Sequence, residues 1–496
     1  MIRALAAAPI AVLTGVAALA LIAAAVQAGF VTDDALRLWG GASTAADGGM
    51  SIGRIVAGYP TIPFLITTLA AALTPPGTPA PVLVAALLLA LIAGSMFLKF
   101  RSIGLSSLIA APAVLLLALH PALLDAAIGG PANMFLAVFL FMFCASLYDL
   151  RARSGTNEVM ATGLALLGLA FSHPIGAAVS FASVPFLAFA VRPALVGRSA
   201  LNVVAALVFP TVFAVSAFAY VSWIFPGAGW SFFAAPAQSL ATWAAAADGL
   251  FGDSVSGARA FDAALAMMTA LGLGAPAAWI ALTLVRRRRL LVTPALVFAA
   301  ITIAATAIAA ASGWFGDPTA IAVAAPVLAA VAIARVPDMR ERPTFVLPLL
   351  ALGWLGGLAS IGLTDPGTAS HLSGRLAGRG FGNERLDALG AGGATGRDDG
   401  VLADTDNAPS FVLGRGGARG VFGPGSEEFA LALLFSRVAT AYVAVPDPQS
   451  DTGASDRLDK AFPTLFRDGV PGYGLVYQNN TWHIFAKLNN GDSLKH

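Results

Sequence analysis

Hydrophobic runs follow one another from the N-terminus to about Thr364, separated by short polar breaks. A run of about 20 residues makes a helix of about 30 Å, the thickness of a hydrocarbon core. Spans are expected at 4–28, 80–98, 103–120, 132–148, 199–224, 261–285, 291–312, 318–334 and 344–363. The run 160–191 is long for one crossing and carries arginines near both ends, so it reads as a hairpin of two short spans. Its tip is Ser172-His173-Pro174, where proline interrupts the helix. The apolar stretch 62–73 covers only about 18 Å as a helix and reads as interfacial or re-entrant. The expected total is about eleven spans.

After Thr364 the pattern changes. Residues 364–399 are glycine-rich and read as a linker, and 400–496 as a small soluble α/β domain. Strands are expected at 400–405 and 441–445, helices at 427–438 and 456–467, and a β-hairpin at 473–478 and 481–487 turning at Asn479-Asn480. The fold class is therefore mainly α, a polytopic helix bundle (1–363, with a first outer loop at 29–79) followed by that domain.

Charge orients the spans. One set of breaks is basic, with Arg3, Lys99/Arg101, Arg151/Arg153, Arg192/Arg198, Arg286–Arg289 and Arg335/Arg340/Arg342. By this division 14 of the 17 basic residues before Asp365 fall on one side and 8 of the 12 acidic ones on the other. Basic loops stay in the cytoplasm. The N-terminus is thus expected inside, and the acidic loops and the C-terminal domain outside. Val26-Gln27-Ala28 resembles a signal-peptide cleavage site, but the run before it is too long for a usual signal core, so a retained first span is expected.

Composition agrees. The chain is 57% hydrophobic and 11% charged, where a soluble protein carries about 25% charged residues. No basic cluster is interleaved with aromatics, which argues against nucleic acid as a partner. Cys144 is the single cysteine, so no intrachain disulfide or thiolate metal cluster can form. High Ala/Gly content with few lysines suggests a bacterial protein of the inner membrane.

The candidate chemistry lies in the outer breaks. Asp33-Asp34 follows the first span directly, and adjacent carboxylates beside a membrane are costly unless paired, metal-bound or used. One is a candidate general base, and Asp34 a candidate ligand for a divalent cation, Mg or Mn, that would neutralise a phosphate leaving group. The plainer reading is a helix cap on an interfacial helix. Arg37, one turn on, is placed to hold phosphate or pair with Asp33. Tyr59-Pro60 leads into the short apolar stretch and reads as a groove wall or an interfacial tyrosine. His120 and His173 each precede a proline at an outer span end, and Asp125 lies five residues past His120. Asp404-Thr405-Asp406 matches the three-letter metal motif of nucleotide-sugar transferases, a weak signal. Gly414-Arg415-Gly416-Gly417 lacks the strand–loop–helix setting of a phosphate cradle.

The organisation resembles the GT-C glycosyltransferase superfamily, which includes protein O-mannosyltransferases and lipid A aminoarabinose transferases. The resemblance rests on a large outer loop opening with Asp33-Asp34, the short helix after Tyr59-Pro60, the Asp125-bearing second outer loop, the hairpin around His173 and the soluble outer domain. It implies sugar transfer from a polyprenyl-phosphate donor to an envelope glycan, lipid or protein at the outer face of the membrane. Asp33 or Asp34 would be the base or metal ligand. Arg37, Tyr59 and His173 would line the groove, with His120 and Asp125 as further substrate-binding candidates. The chain departs from the family in lacking an aromatic-rich stretch after the acidic pair. It also has Ser172-His173-Pro174 where a lysine is often found. The competing class is a non-catalytic transporter, flippase or assembly subunit for lipid-linked saccharides. The near absence of charge inside the spans counts against ion-coupled transport.

Overall fold

The structure is a computed structural model. It describes residues 2–27, 33–48, 55, 59–75, 78–153, 155–191, 193–224, 259–284, 289–312, 315, 318–335, 343–364, 383–405, 408–424, 426–435, 438–450, 453–454 and 456–488. The chain is mainly helical with one small sheet, and it divides into two compact units.

The first unit comprises Met1–Ala28, Tyr59–Pro63 and Val82–Gly378. In chain order it contains α1 (Ile2–Gln27), most of α4 (Ala80–Ser102), α5 (Ser107–Ala118), α6 (Pro121–Gly129), α7 (Pro131–Ala152), α8 (Thr156–Ser172) and α9 (Pro174–Ala190). It continues with α10 (Pro193–Ile224), α11 (Arg259–Gly274), α12 (Pro276–Leu284), α13 (Arg289–Ser312), α14 (Ala324–Arg335) and α15 (Val346–Thr364). Six helices among the described residues are long and apolar enough to cross a membrane, or seven if α5 and α6, bent by 53°, form one broken span. The chain is therefore a membrane protein by its helices.

The eleven expected crossings correspond to helices, but not all to helices of full length. The 160–191 run breaks at His173-Pro174 into α8 and α9, of 17 residues each, or about 26 Å apiece. The run 261–285 breaks before Pro276, and 318–334 opens with a tight helical turn at Pro318–Val323. Proline supplies no N–H and crowds the preceding turn, so apolar runs of spanning length yield shorter helices. The stretch after His120, expected as an open loop carrying Asp125, is the helix α6. Its face Ala122, Leu123, Ala126 and Ala127 is buried, and that burial holds it helical.

Bare backbone sets the packing of α15. Gly353, Gly356 and Gly357 face α11 and the α5–α6 bend. A methyl group on Gly356 would lie 2.0 Å from the Leu273 carbonyl oxygen, and one on Gly353 2.9 Å from that of Gly274. Small residues at such spacing let membrane helices touch backbone to backbone. Elsewhere, side chains from three basic breaks meet, and a fourth contributes backbone carbonyls. Arg335 on α14 forms a two-pronged ion pair with Asp149 on α7, its Nη1 donating at 2.6 Å. Lys99 lies within electrostatic reach of Asp149, Arg153 and Arg335. Arg151 donates to the Phe189 and Val191 carbonyls at the end of α9.

The second unit comprises Gly29–Gly58, Phe64–Pro81 and Arg379–His496. The first-loop helix α2 (Asp33–Gly48) and most of α3 (Thr61–Leu73) thus belong with the C-terminal domain, not with the bundle. That domain contains α16 (Asn383–Gly393), β1 (Val401–Leu402), α17 (Pro409–Gly414), β2 (Val421–Phe422), α18 (Glu427–Phe435), β3 (Tyr442–Pro446), α19 (Arg457–Ala461), α20 (Leu465–Asp468), β4 (Tyr473–Gln478) and β5 (Trp482–Lys487). The sheet order is β2-β1-β3-β5-β4, with β1 parallel to β2 and β3 and the other pairs antiparallel.

Alternate residues of the central strands point to opposite faces. Val401, Ala403 and Ala444 pack with Ala388, Ala391, Phe411 and Trp482. Leu402, Val443 and Val445 pack with Phe429, Leu458 and Leu465 on the other side. Both faces of the sheet are covered, which gives a three-layer α/β/α unit.

Two sequence expectations change here. The glycine-rich linker contains α16, whose Ala388 and Ala391 enter the core, because small residues suffice where the helix lies close to Phe411 and Trp482. The single helix expected over 456–467 is split into α19 and α20 around Pro463, with Asp456 capping the first.

Candidate functional site

Helix α2 carries the acidic pair. It buries Ala35, Leu36, Leu38, Ala42 and Ala45, and packs Leu38 and Ala45 on Phe64 of α3. Asp33 and Asp34 are the first two residues of this helix. Their side chains lie outside the described residues. Arg37 is exposed on the polar face of the same helix.

Two contacts seat α2 against the C-terminal domain. Asp47 accepts a hydrogen bond from the Ala418 N–H at 2.8 Å. Gly40 meets Pro409, the first residue of α17, so closely that a methyl group there would lie 2.6 Å from the proline Cβ. Between α2, the end of α3 and the α17 region lies a cavity of about 320 Å³. Its lining includes Trp39, Ser43, Asp47, Thr74, Thr78 and Arg397, beside Gly416 and Gly417. An indole, a carboxylate, a guanidinium and three hydroxyls on one open cavity offer an aromatic surface with donors and acceptors around it, a lining suited to a polyol or saccharide.

Among the described residues, none of the candidate catalytic, substrate-binding or metal residues named from the sequence lines this cavity; of the motifs discussed there, only Gly416-Gly417 does. Trp39 and Asp47 lie about one and a half and almost four turns along α2 from the acidic pair. Arg397 gave no sequence signal.

The other candidates lie in the first unit. The Tyr59 hydroxyl donates to the Ala170 carbonyl at 3.0 Å, and its ring lies 6.2 Å from Phe218, which also meets Phe171 edge-on. Tyr59 is thus held at the end of α8, just before His173. The two histidines share one local design. His120 Nδ1 accepts the Ala122 N–H at 3.2 Å and caps α6, and His173 Nδ1 accepts the Ile175 N–H at 3.1 Å and caps α9. In each case proline occupies the first helical position, where its missing N–H costs nothing. Both rings are buried, so Nδ1 is committed to the cap and not open to a substrate. Asp125 is exposed on α6.

Among the described residues no three His, Cys, Asp or Glu side chains converge as a metal ligand set. Asp404 is buried after β1 and accepts the Arg457 N–H at 3.0 Å, while Asp406 lies outside the described residues. Arg415, in the glycine-rich turn, is a structural clamp. It donates to the Thr395 hydroxyl at 2.6 Å and to the carbonyls of Arg397, Asp399 and Arg419. No protein-family model matches the chain, and no curated protein does.

Proposed function

We propose that the protein is an integral membrane glycosyltransferase of the bacterial inner membrane. It would move a sugar from a polyprenyl-phosphate donor to an envelope acceptor on the extracytoplasmic face. The observation that carries this reading is the cavity walled jointly by α2 and the C-terminal domain. Residues 33–48 and 409–418 touch, so they lie on one face of the bilayer. The charge asymmetry of the breaks favours reading that face as the outer one. On this reading, a helix that opens with two carboxylates walls a polar cavity outside the cytoplasm.

In the proposed reaction Asp33 or Asp34 takes the proton from an acceptor hydroxyl. The hydroxyl oxygen bonds to the anomeric carbon, the bond from that carbon to the phosphate oxygen breaks, and polyprenyl phosphate leaves. Asp34 would also hold a divalent cation against the phosphate, with Arg37 beside it.

The test is transfer from a radiolabelled polyprenyl-phosphate sugar pool in membranes. Wild type should transfer label. Asp33→Asn or Asp34→Asn should lose about a hundredfold or more, the range for a removed general base, while the chain stays inserted at normal abundance. Wild-type activity in both variants, or no transfer from any pool, overturns the proposal. The second result moves the reading to a transport or assembly subunit.

A further inference from the structure

The cavity beside α2 has a chemistry of its own. Trp39, Ser43 and Asp47 line it from the helix, and their four-residue spacing keeps them along one side of it. Asp34 precedes Trp39 by five residues, which is about 7.5 Å along the helix axis and about 140° around it. The cavity is thus set to hold a ligand alongside the acidic pair rather than upon it.

The lining has two parts. The half-buried Trp39 indole is a flat apolar surface. Around it stand the hydroxyls of Ser43, Thr74 and Thr78, the Asp47 carboxylate and the Arg397 guanidinium. Asp47 is fixed by the Ala418 N–H. The Thr74 hydroxyl donates to the Ala70 carbonyl at 2.8 Å, which leaves its lone pairs to accept. Asp47 and Arg397 flank Gly417. A methyl group there would lie 2.8 Å from Asp47 Oδ2 and 3.5 Å from both Nε and Nη2 of Arg397. These two nitrogens form one donating edge of the guanidinium, of the kind that engages paired oxygens. Bare backbone at Gly417 keeps open the space between acid and base. Next to it Gly416 has φ of +74°, a left-handed turn that favours glycine.

A pyranose ring has an apolar C–H face and a rim of hydroxyls. The face matches the indole, and each hydroxyl can accept from Arg397 and donate to Asp47. A phosphate or carboxylate would meet Asp47 as well as Arg397, and an acyl chain would meet the polar rim. The volume of about 320 Å³ lies at the low end of the range of about 300–1,000 Å³ for small-molecule sites, which suits a short saccharide unit. We propose that this cavity is a binding site for a neutral hexose or dihexose unit, with Trp39 as its stacking surface and Asp47 and Arg397 as its hydroxyl partners. The binding stands on the cavity alone. That the bound unit belongs to a glycan acceptor, rather than a lipid or protein one, rests on the transferase reading.

The test is calorimetric titration of the full chain, in a detergent without sugar headgroups, with maltose, cellobiose, lactose and mannobiose in turn. Wild type should bind at least one of them saturably. Trp39→Ala should weaken that binding by more than about tenfold, and Trp39→Phe, which keeps an aromatic face, by less. Arg397→Gln should weaken it as well. Arg467→Gln, at an exposed position outside the cavity, should leave it unchanged. In wild type alone, hydrogen exchange of 39–47 should slow when the sugar is added. Absence of binding by all of these sugars, binding untouched by the Trp39 and Arg397 variants, or exchange insensitive to the sugar would each overturn the proposal. Tighter binding of inorganic phosphate than of any sugar would show an anion site instead. Wild type that binds sugar but transfers none would remove the transferase reading and leave this site standing; wild type that transfers but binds none would do the reverse.

Discussion

Two adjacent glycines on α2 test whether the acidic helix is seated on the C-terminal domain. Alanine in a helix interior is favoured over glycine by about 1 kcal/mol. At Gly41 the added methyl would meet only Phe64 Cε2, at 3.7 Å, an ordinary contact. Gly41→Ala should therefore stabilise the second unit by about 1 kcal/mol. At Gly40 the methyl would lie 2.6 Å from Pro409 Cβ, 3.1 Å from its Cα and 3.3 Å from its carbonyl oxygen. The best separation for carbon atoms is about 3.5–4.0 Å, so the overlap approaches 1 Å. Pro409 opens α17 and has no rotamer by which to yield. Overpacking of this size costs about 1–3 kcal/mol. Set against the same helical gain, Gly40→Ala should come out between neutral and about 2 kcal/mol destabilising.

The difference between the two variants is the robust quantity, because propensity cancels and leaves the clash of about 1–3 kcal/mol. A unit of this size shifts its unfolding midpoint by about 2–4 °C per kcal/mol. Thermal scans of the detergent-solubilised chain should separate the two variants by several degrees, with Gly40→Ala the lower. Two variants that stabilise equally would refute the seating of α2 on α17, and with it the shared wall of the cavity.

Two further outcomes follow from the C-terminal domain. Trp482 is 1% exposed and stacks on Phe411 at 5.3 Å, so Trp482→Ala should cost about 3–5 kcal/mol. Leu434→Ala, at a 76% exposed position, should stay within about 0.5 kcal/mol, and equal losses in the two variants would contradict the packing described. Burial raises Asp456 from 3.8 to about 6 and Asp459 from 3.8 to about 7. The native state then holds protons that the unfolded chain releases. Their stabilising effect is complete below about pH 4 and is lost as pH rises through 6 to 7. The midpoint should fall between pH 5 and pH 8, and Asp459→Asn should flatten the slope. A midpoint rising over that interval would disprove the sign.

Much of this protein is legible in its residue pattern. Hydrophobic runs of membrane length locate the helices, because lipid cannot hydrogen-bond an open backbone and only a helix satisfies it locally. Period-two alternation and Asn479-Asn480 locate the β4–β5 hairpin. His173-Pro174 divides α8 from α9, since proline acts on its own neighbours. All of these rest on interactions within a few residues.

The remaining features rest on residues far apart in the chain. Asp47 meets Ala418, and Gly40 meets Pro409. Neither pairing leaves a local trace, so the first-loop helix was read with the bundle and not with the domain that follows the last span. The glycine-rich stretch hid α16, because Ala388 and Ala391 become core residues only when Trp482 and Phe411 are laid against them. His120 and His173 stand as substrate-binding candidates until their Nδ1 atoms are seen capping the helices that follow. Composition and periodicity place a segment in lipid or water, but the partner of a buried polar atom is chosen by which distant segment folds back upon it.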